Sequence, residues 1–234
     1  MVAESAPEAQ PAPWQEGRRG LAALPLRRIA VLLAVAAVVV VGVRATLVQT
    51  FVIPTGSMEP TLQVGERVLV SPAAATLREV HRGDVVVFDG SGVFDPPPTP
   101  PSSALARAGR AIAAAVGVPV GSRDYVKRVI GLPGDRVACC DDVGRVMVNG
   151  RPLDEPYVHP GDAASLVRFS VVVPAGRLWV MGDHRSASAD SRAHLGDPGG
   201  GTVPIRRVIG PVVAVSWPPS DIHVLGSGPT GGDR

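Results

Sequence analysis

The apolar positions of this chain fall into two regimes. From Ile29 to Val43 the sequence IAVLLAVAAVVVVGV is unbroken apolar. As a helix these residues span about 22 Å, short of the roughly 30 Å hydrocarbon core of a bilayer. Continuing through Arg44 to Val48 reaches about 30 Å, with the Arg44 side chain reaching back toward the interface. Residues 28–48 are therefore expected to form a single transmembrane helix. Arg18, Arg19, Arg27 and Arg28 precede it, so residues 1–27 are expected to be a disordered cytoplasmic tail, with the rest exported. A cleaved secretory signal is the alternative, but its basic region is usually shorter, and the exit VGVRATLVQT is a poor match to a small-residue cleavage site. No second apolar run of spanning length follows.

After residue 50 the pattern changes to short Val-rich runs cut by Gly and Pro. Arg67–Val70, Asp84–Phe88, Asp124–Ile130, Arg136–Ala138, Arg145–Val148, Phe169–Val173, Leu178–Met181 and Val208–Ser216 read as strands, with turn signals such as VNGRP and VPAG between them. The fold class is mainly β, an antiparallel sheet or barrel-like domain over residues 49–225 behind the N-terminal helix. Residues 89–122 break the style. DGSGVFDPPPTPPSS is a Pro-rich loop, and ALARAGRAIAAAVGV predicts one short helix. Residues 226–234 are Gly-rich and expected to be loose.

Composition changes the picture at one point. The chain has 22 Arg and a single Lys, Lys127. Its net charge of +2 comes entirely from residues 1–44, which hold five Arg and three Glu, so residues 45–234 balance to zero. With 4% aromatic residues as well, nucleic acid is not an expected partner. The two cysteines, Cys139 and Cys140, are adjacent. They offer neither a disulfide framework nor zinc-ligand spacing, and leave open a vicinal disulfide or two free thiols.

Three stretches carry candidate chemistry. In IPTGSMEPTL, residues 53–62, Pro54 and Gly56 shape a tight turn that presents Ser57, and neighbouring N–H groups can face an oxyanion. DYVKRVIGLPGDRV, residues 124–137, holds the lone Lys in a strand with alternating faces, which puts Lys127 and Arg128 on opposite sides. A desolvated Lys can lose its proton and act as a base, whereas Arg cannot. WVMGDHRSASADSR, residues 179–192, is dense in small polar groups able to hold a base in place through a hydrogen-bonded network. Asp183 and His184 leave a Ser-His-Asp triad open as well. The remaining histidines, His81, His159, His194 and His223, show no ligand spacing, so no metal or cofactor is expected.

Taken in this order behind one anchor, the three stretches resemble bacterial signal peptidase I (leader peptidase), a membrane-bound Ser/Lys endopeptidase family. The resemblance covers roughly residues 28–218 and includes the strands GERVLV and GDVVVF at 65–70 and 83–88. It implies that Ser57 is the nucleophile and Lys127 the general base. Thr55 is implied to assist the Ser57 N–H in the oxyanion hole. Ser188 is implied to orient the Lys amine, while Asp190, Arg192, Asp183 and Arg185 support the site. His184 departs from the family, which commonly has Asn there. Ile53, Pro54, Met58, Tyr125 and Val126 flank the dyad and are expected to contact substrate. The implied substrate is the signal peptide of an exported preprotein, cut beside small residues such as Ala. The implied partners are the lipid bilayer and the export machinery, and the implied location is the plasma membrane, with the catalytic domain extracytoplasmic. For neutrality, Lys127 needs desolvation by neighbours such as Val126 and Val129, and no carboxylate against its amine. Two further readings stay open, a membrane-anchored β scaffold without chemistry and a self-cleaving repressor-type Ser/Lys protease. The second carries a DNA-binding half and no anchor.

Overall fold

The structure is a computed structural model that describes residues 26–72, 80–96, 103, 109 and 123–226. Residues 1–25 of the expected tail 1–27, residues 227–234 of the expected loose end 226–234 and, apart from Gly109, the predicted helix of the 89–122 insert lie outside the described residues; Leu26 and Arg27 belong to the helix rather than to the tail. The chain divides into two units, Met1–Val39 and Val40–Arg234.

One helix, α1 (Leu26–Leu47), runs for 22 residues through the apolar stretch read as the membrane span. Its described side chains are those of 27–39 and 42, all exposed. Among the described residues, no helix is long and apolar enough to cross a membrane.

Among the described residues, the second unit has twelve strands in two antiparallel sheets. The strands are β1 (Gln49–Val52), β2 (Arg67–Val70), β3 (Val85–Asp89), β4 (Asp124–Gly131), β5 (Arg136–Cys139) and β6 (Val146–Val148). They continue with β7 (Arg151–Pro152), β8 (Phe169–Val172), β9 (Arg177–Met181), β10 (Val203–Pro204), β11 (Val208–Trp217) and β12 (His223–Val224). The larger sheet runs β1-β2-β11-β3-β4-β9-β10, with β12 added to β11. The smaller runs β7-β6-β5-β8. Each of the eight runs read as strands from the sequence is a strand here, with ends shifted by no more than a residue. The strands that pattern alone did not reveal are β1, which continues the membrane-exit sequence, and the two-residue strands β7, β10 and β12. Two residues are too few to show alternation.

Sheet twist and alternation divide the interior into three apolar clusters. The run Val85–Phe88 shows why its sequence lacks a polar face. Val85 and Val87 pack with Ile53, Met58, Leu62 and Val68 on one side. Val86 and Phe88 pack with Val129, Leu178 and Val180 on the other. A strand buried on both faces reads as a continuous hydrophobic run. A third cluster, with Ile130, Val137, Phe169, Trp179 and Met181, joins the small sheet to the ends of β4 and β9. There Cys139 and Cys140 are closed as a vicinal disulfide, which resolves the alternative left open by the sequence.

Candidate active site

Ser57 lies in a one-turn 3-10 helix, Gly56–Met58, between β1 and β2. The turn is anchored from below, because Ile53 and Met58 are buried in the first apolar cluster. Lys127 enters from the middle of β4, the central strand paired to β3 by the register Val86↔Lys127. Neither side chain is free in solvent, with Ser57 8% and Lys127 4% exposed. Lys127 Nζ lies 2.8 Å from Ser57 Oγ and 2.9 Å from the carbonyl oxygen of Val126. Thr55 Oγ1 lies 3.4 Å from the same Ser57 Oγ. Two residues 70 apart in sequence are thus joined by a buried hydrogen bond.

The electrostatics follow from burial. Desolvation lowers the Lys127 pKa from 10.5 to about 8, against the raising fields of Asp190 and Asp183. Those two carboxylates do not pair with the amine, because each is held by an arginine. Arg128 grips Asp183 through Nε at 2.8 Å and Nη2 at 2.5 Å, and Thr61 Oγ1 adds a bond at 2.5 Å. The Arg128 guanidinium also stacks 4.0 Å over the Tyr157 ring. Arg192 grips Asp190 through Nε at 2.8 Å and Nη2 at 2.7 Å, while the Gly182 N–H donates to the same carboxylate at 3.0 Å. Burial pushes the Asp190 carboxyl up, but the Arg192 bonds and charge, with the Gly182 N–H, outweigh it and hold the pKa below its ordinary value. Arg185 belongs to the same framework. It binds Glu155 with both terminal nitrogens and reaches the carbonyl oxygens of Gly182 and Ala164.

The residues named from the sequence converge on one place. A cavity of about 240 Å³ opens beside the pair, and its walls include Ile53, Pro54, Met58, Tyr125 and Val126 together with Thr55, Ser57 and Lys127. Ser188 reaches the same corner, but among the described residues the bond expected from it to Lys127 is not formed. Its Oγ is buried without a well-formed hydrogen bond, though it lies close enough to Asp190 to help keep that carboxyl charged. The second acceptor for the amine is instead the carbonyl of Val126. His184 does not complete a triad with Ser57. Its Nδ1 lies 3.2 Å from Gly56 O, and among the described residues Ser57 Oγ is bonded only to Lys127 and Thr55.

Several contributors were not visible in the sequence. Ala187 and Ala189 line the cavity, and small residues in SASAD carry no signal beyond a loop. Gly182 is required by space, because a Cβ there would meet the Ser57 carbonyl oxygen at 2.5 Å as well as Ser188. Glu155 and Tyr157 come from a loop with no periodic pattern.

Among the described residues, Ser57 Oγ is hydrogen-bonded to the buried Lys127 amine in a groove on an antiparallel β framework. The family described as signal peptidase, peptidase S26, matches residues 26–217, and the chain belongs to that family, which makes it a peptidase. It is 39% identical over 234 residues to signal peptidase I of Mycobacterium tuberculosis (strain ATCC 25618 / H37Rv), covering 86% of this chain and 76% of that one. It is 38% identical over 236 residues to the probable signal peptidase I of Mycobacterium leprae (strain TN), covering 83% and 78%. A solved signal peptidase I from Enterococcus faecalis V583 shares 22% identity with a TM-score of 0.38, covering 58% of this chain and 97% of that one.

Proposed function

We propose that this peptidase removes N-terminal signal peptides from exported preproteins by a Ser57/Lys127 acyl-enzyme mechanism at the membrane surface. The observation that carries the reading is the 2.8 Å contact between Ser57 Oγ and a buried amine whose pKa is lowered to about 8. Neutral Lys127 accepts the Ser57 proton as Oγ attacks the scissile carbonyl, and returns it to the leaving amine. Water activated by the same amine then releases the acyl group. The oxyanion is met by the Ser57 N–H, in a first helical turn where N–H groups have no intrahelical partner, and by Thr55. Arg192 and Arg128 hold Asp190 and Asp183, so neither carboxylate pairs with the amine, and Ser188 supports Asp190 rather than contacting Lys127.

The groove suits an extended peptide. β9 pairs with Arg128, Val129 and Gly131 of β4, so Tyr125–Lys127 has no strand partner on that side among the described strands. An incoming strand adds there, opposite Ile53–Thr55, and the small Ala187 and Ala189 leave shallow pockets for small side chains. Residues 28–48 anchor the enzyme in the plasma membrane with residues 1–27 cytoplasmic and the catalytic domain, 49–225, outside. Ser57 follows the end of α1 by ten residues. Exposed Val52, Trp217, Ile222 and Val224, on or beside β1, β11 and β12, give the catalytic domain an apolar rim suited to a lipid interface. The test is cleavage of a purified preprotein by the full chain in detergent. Wild type releases the mature protein, Ser57→Ala does not, and a fully active Ser57→Ala enzyme sinks the reading.

A further inference from the structure

Behind the nucleophile turn, three side chains from distant parts of the sequence converge in a way the proposed peptide chemistry does not use. Glu59 follows Ser57 by two residues, His159 comes from the loop between β7 and β8, and His184 from the loop after β9. One ligand atom from each lies within 4.8 Å of the other two, and all three residues are partly exposed. The imidazoles of His159 and His184 stack with centroids 4.0 Å apart, and His184 Nδ1 lies 3.9 Å from Glu59 Oε2. A fourth group sets the field. Asp162 faces the pair, with its carboxylate oxygens engaged by the Ser186 N–H at 3.0 Å and hydroxyl at 2.8 Å, and adds negative charge beside it.

We propose that Glu59, His159 and His184 form a binding site for a divalent transition metal of the zinc class. Two imidazoles and one carboxylate are a borderline donor set, suited to Zn2+ and Co2+ rather than to Mg2+ or Ca2+, which prefer oxygen ligands. Partial exposure leaves a path for the ion and a position for water as fourth ligand. Bond lengths of about 2.0–2.2 Å require the three donor atoms to draw together, by turning partly exposed side chains and opening the imidazole stack. The site is tied to the nucleophile turn by backbone. The His184 N–H donates to the Ser57 carbonyl at 3.2 Å, and the Glu59 N–H donates to the Gly56 carbonyl at 3.1 Å. A bound ion therefore cross-links the turn that carries Ser57 to the loops that carry His159 and His184. Positions 59, 159 and 184 have no local spacing a sequence scan could recognise, which is why the expectation of no metal was drawn without sight of this cluster.

The test is titration of the full chain in detergent, without a polyhistidine tag, with Zn2+ alone and with Co2+ alone. Wild type is expected to bind one Zn2+ and, at a hundredfold excess over Kd, to gain about 5 °C in Tm. Co2+ is expected to give visible d–d bands of tetrahedral intensity. His159→Ala and Glu59→Gln each weaken Zn2+ binding at least about tenfold and abolish the Co2+ spectrum. His194→Ala, a histidine outside the cluster, leaves both unchanged. Metal-free His159→Ala retains wild-type peptidase activity, which shows that it folds. One-site binding that survives in His159→Ala, or no one-site binding by wild type, overturns the proposal.

Discussion

Lys127 and Arg128 are neighbours on one strand, each 4% exposed, yet their surroundings differ completely. Arg128 meets a carboxylate with two nitrogens, the Gly83 carbonyl with a third at 2.8 Å, and an aromatic ring beneath its plane. Lys127 meets only two neutral oxygens, one hydroxyl and one carbonyl. Burial disfavours the ammonium, which can shed its proton, whereas a guanidinium cannot, so the two buried cations differ in residue type as well as in partners. Arg128 is paired and organises the loops around Asp183, while the Lys127 amine, with neutral partners, has its pKa lowered toward neutrality. Arg128 and Arg192 also act on that amine indirectly, because unpaired Asp183 and Asp190 would raise its pKa further.

The comparison breaks most severely if the two cations are made alike. Lys127→Arg keeps the charge and removes the proton acceptor, and is expected to lower kcat/KM for a preprotein by at least about 10⁴-fold. Near wild-type cleavage by this variant, measured by release of mature product, would refute the dyad. Removing the paired cation acts on stability instead. Arg128→Met leaves Asp183 buried and uncompensated and is expected to cost about 3–5 kcal/mol in urea unfolding.

The third test uses linkage. The folded pKa of Lys127, about 8, lies below its ordinary 10.5. The native state is therefore penalised wherever the amine must be protonated, fully below pH 8 and not at all above about pH 10.5. Lys127→Met is expected to abolish activity yet stabilise the fold by up to about 3 kcal/mol at pH 7, a gain that fades as pH rises through 8 to 10.5. In the wild type, kcat/KM falls about tenfold per pH unit below an apparent pKa near 8. A stability gain that does not change with pH would show that the amine is not desolvated as described. The smallest effect is expected at His184, whose ring faces Gly56 O rather than Ser57 Oγ. His184→Ala in metal-free buffer stays within about threefold of wild type, and a loss of several orders of magnitude would revive the triad.

Much of this site was legible before any fold was known. The Gly-flanked Ser57 and the single Lys among 22 Arg each stood out, because their chemistry is carried by residue type and local turn. The strand runs were legible wherever three or more residues of Val-rich sequence ran together between turn signals. The partners were not. Nothing about Glu155 predicts that it clamps Arg185, and Ser188 reaches the site without making the bond expected to Lys127. Both depend on how loops between strands are folded back, which local pattern does not encode.

The sequence by itself determined the class of structure, the apolar segment and the two candidate residues, Ser57 and Lys127, because hydrophobic period and side-chain chemistry are local properties. Only the tertiary structure decided that Ser57 and Lys127 stand 2.8 Å apart, that the nearby carboxylates are neutralised by arginines, and that Glu59, His159 and His184 share one corner. Those are distances between segments far apart in the chain. They are fixed by strand register and loop packing, and they leave a buried lysine with only neutral oxygens as partners.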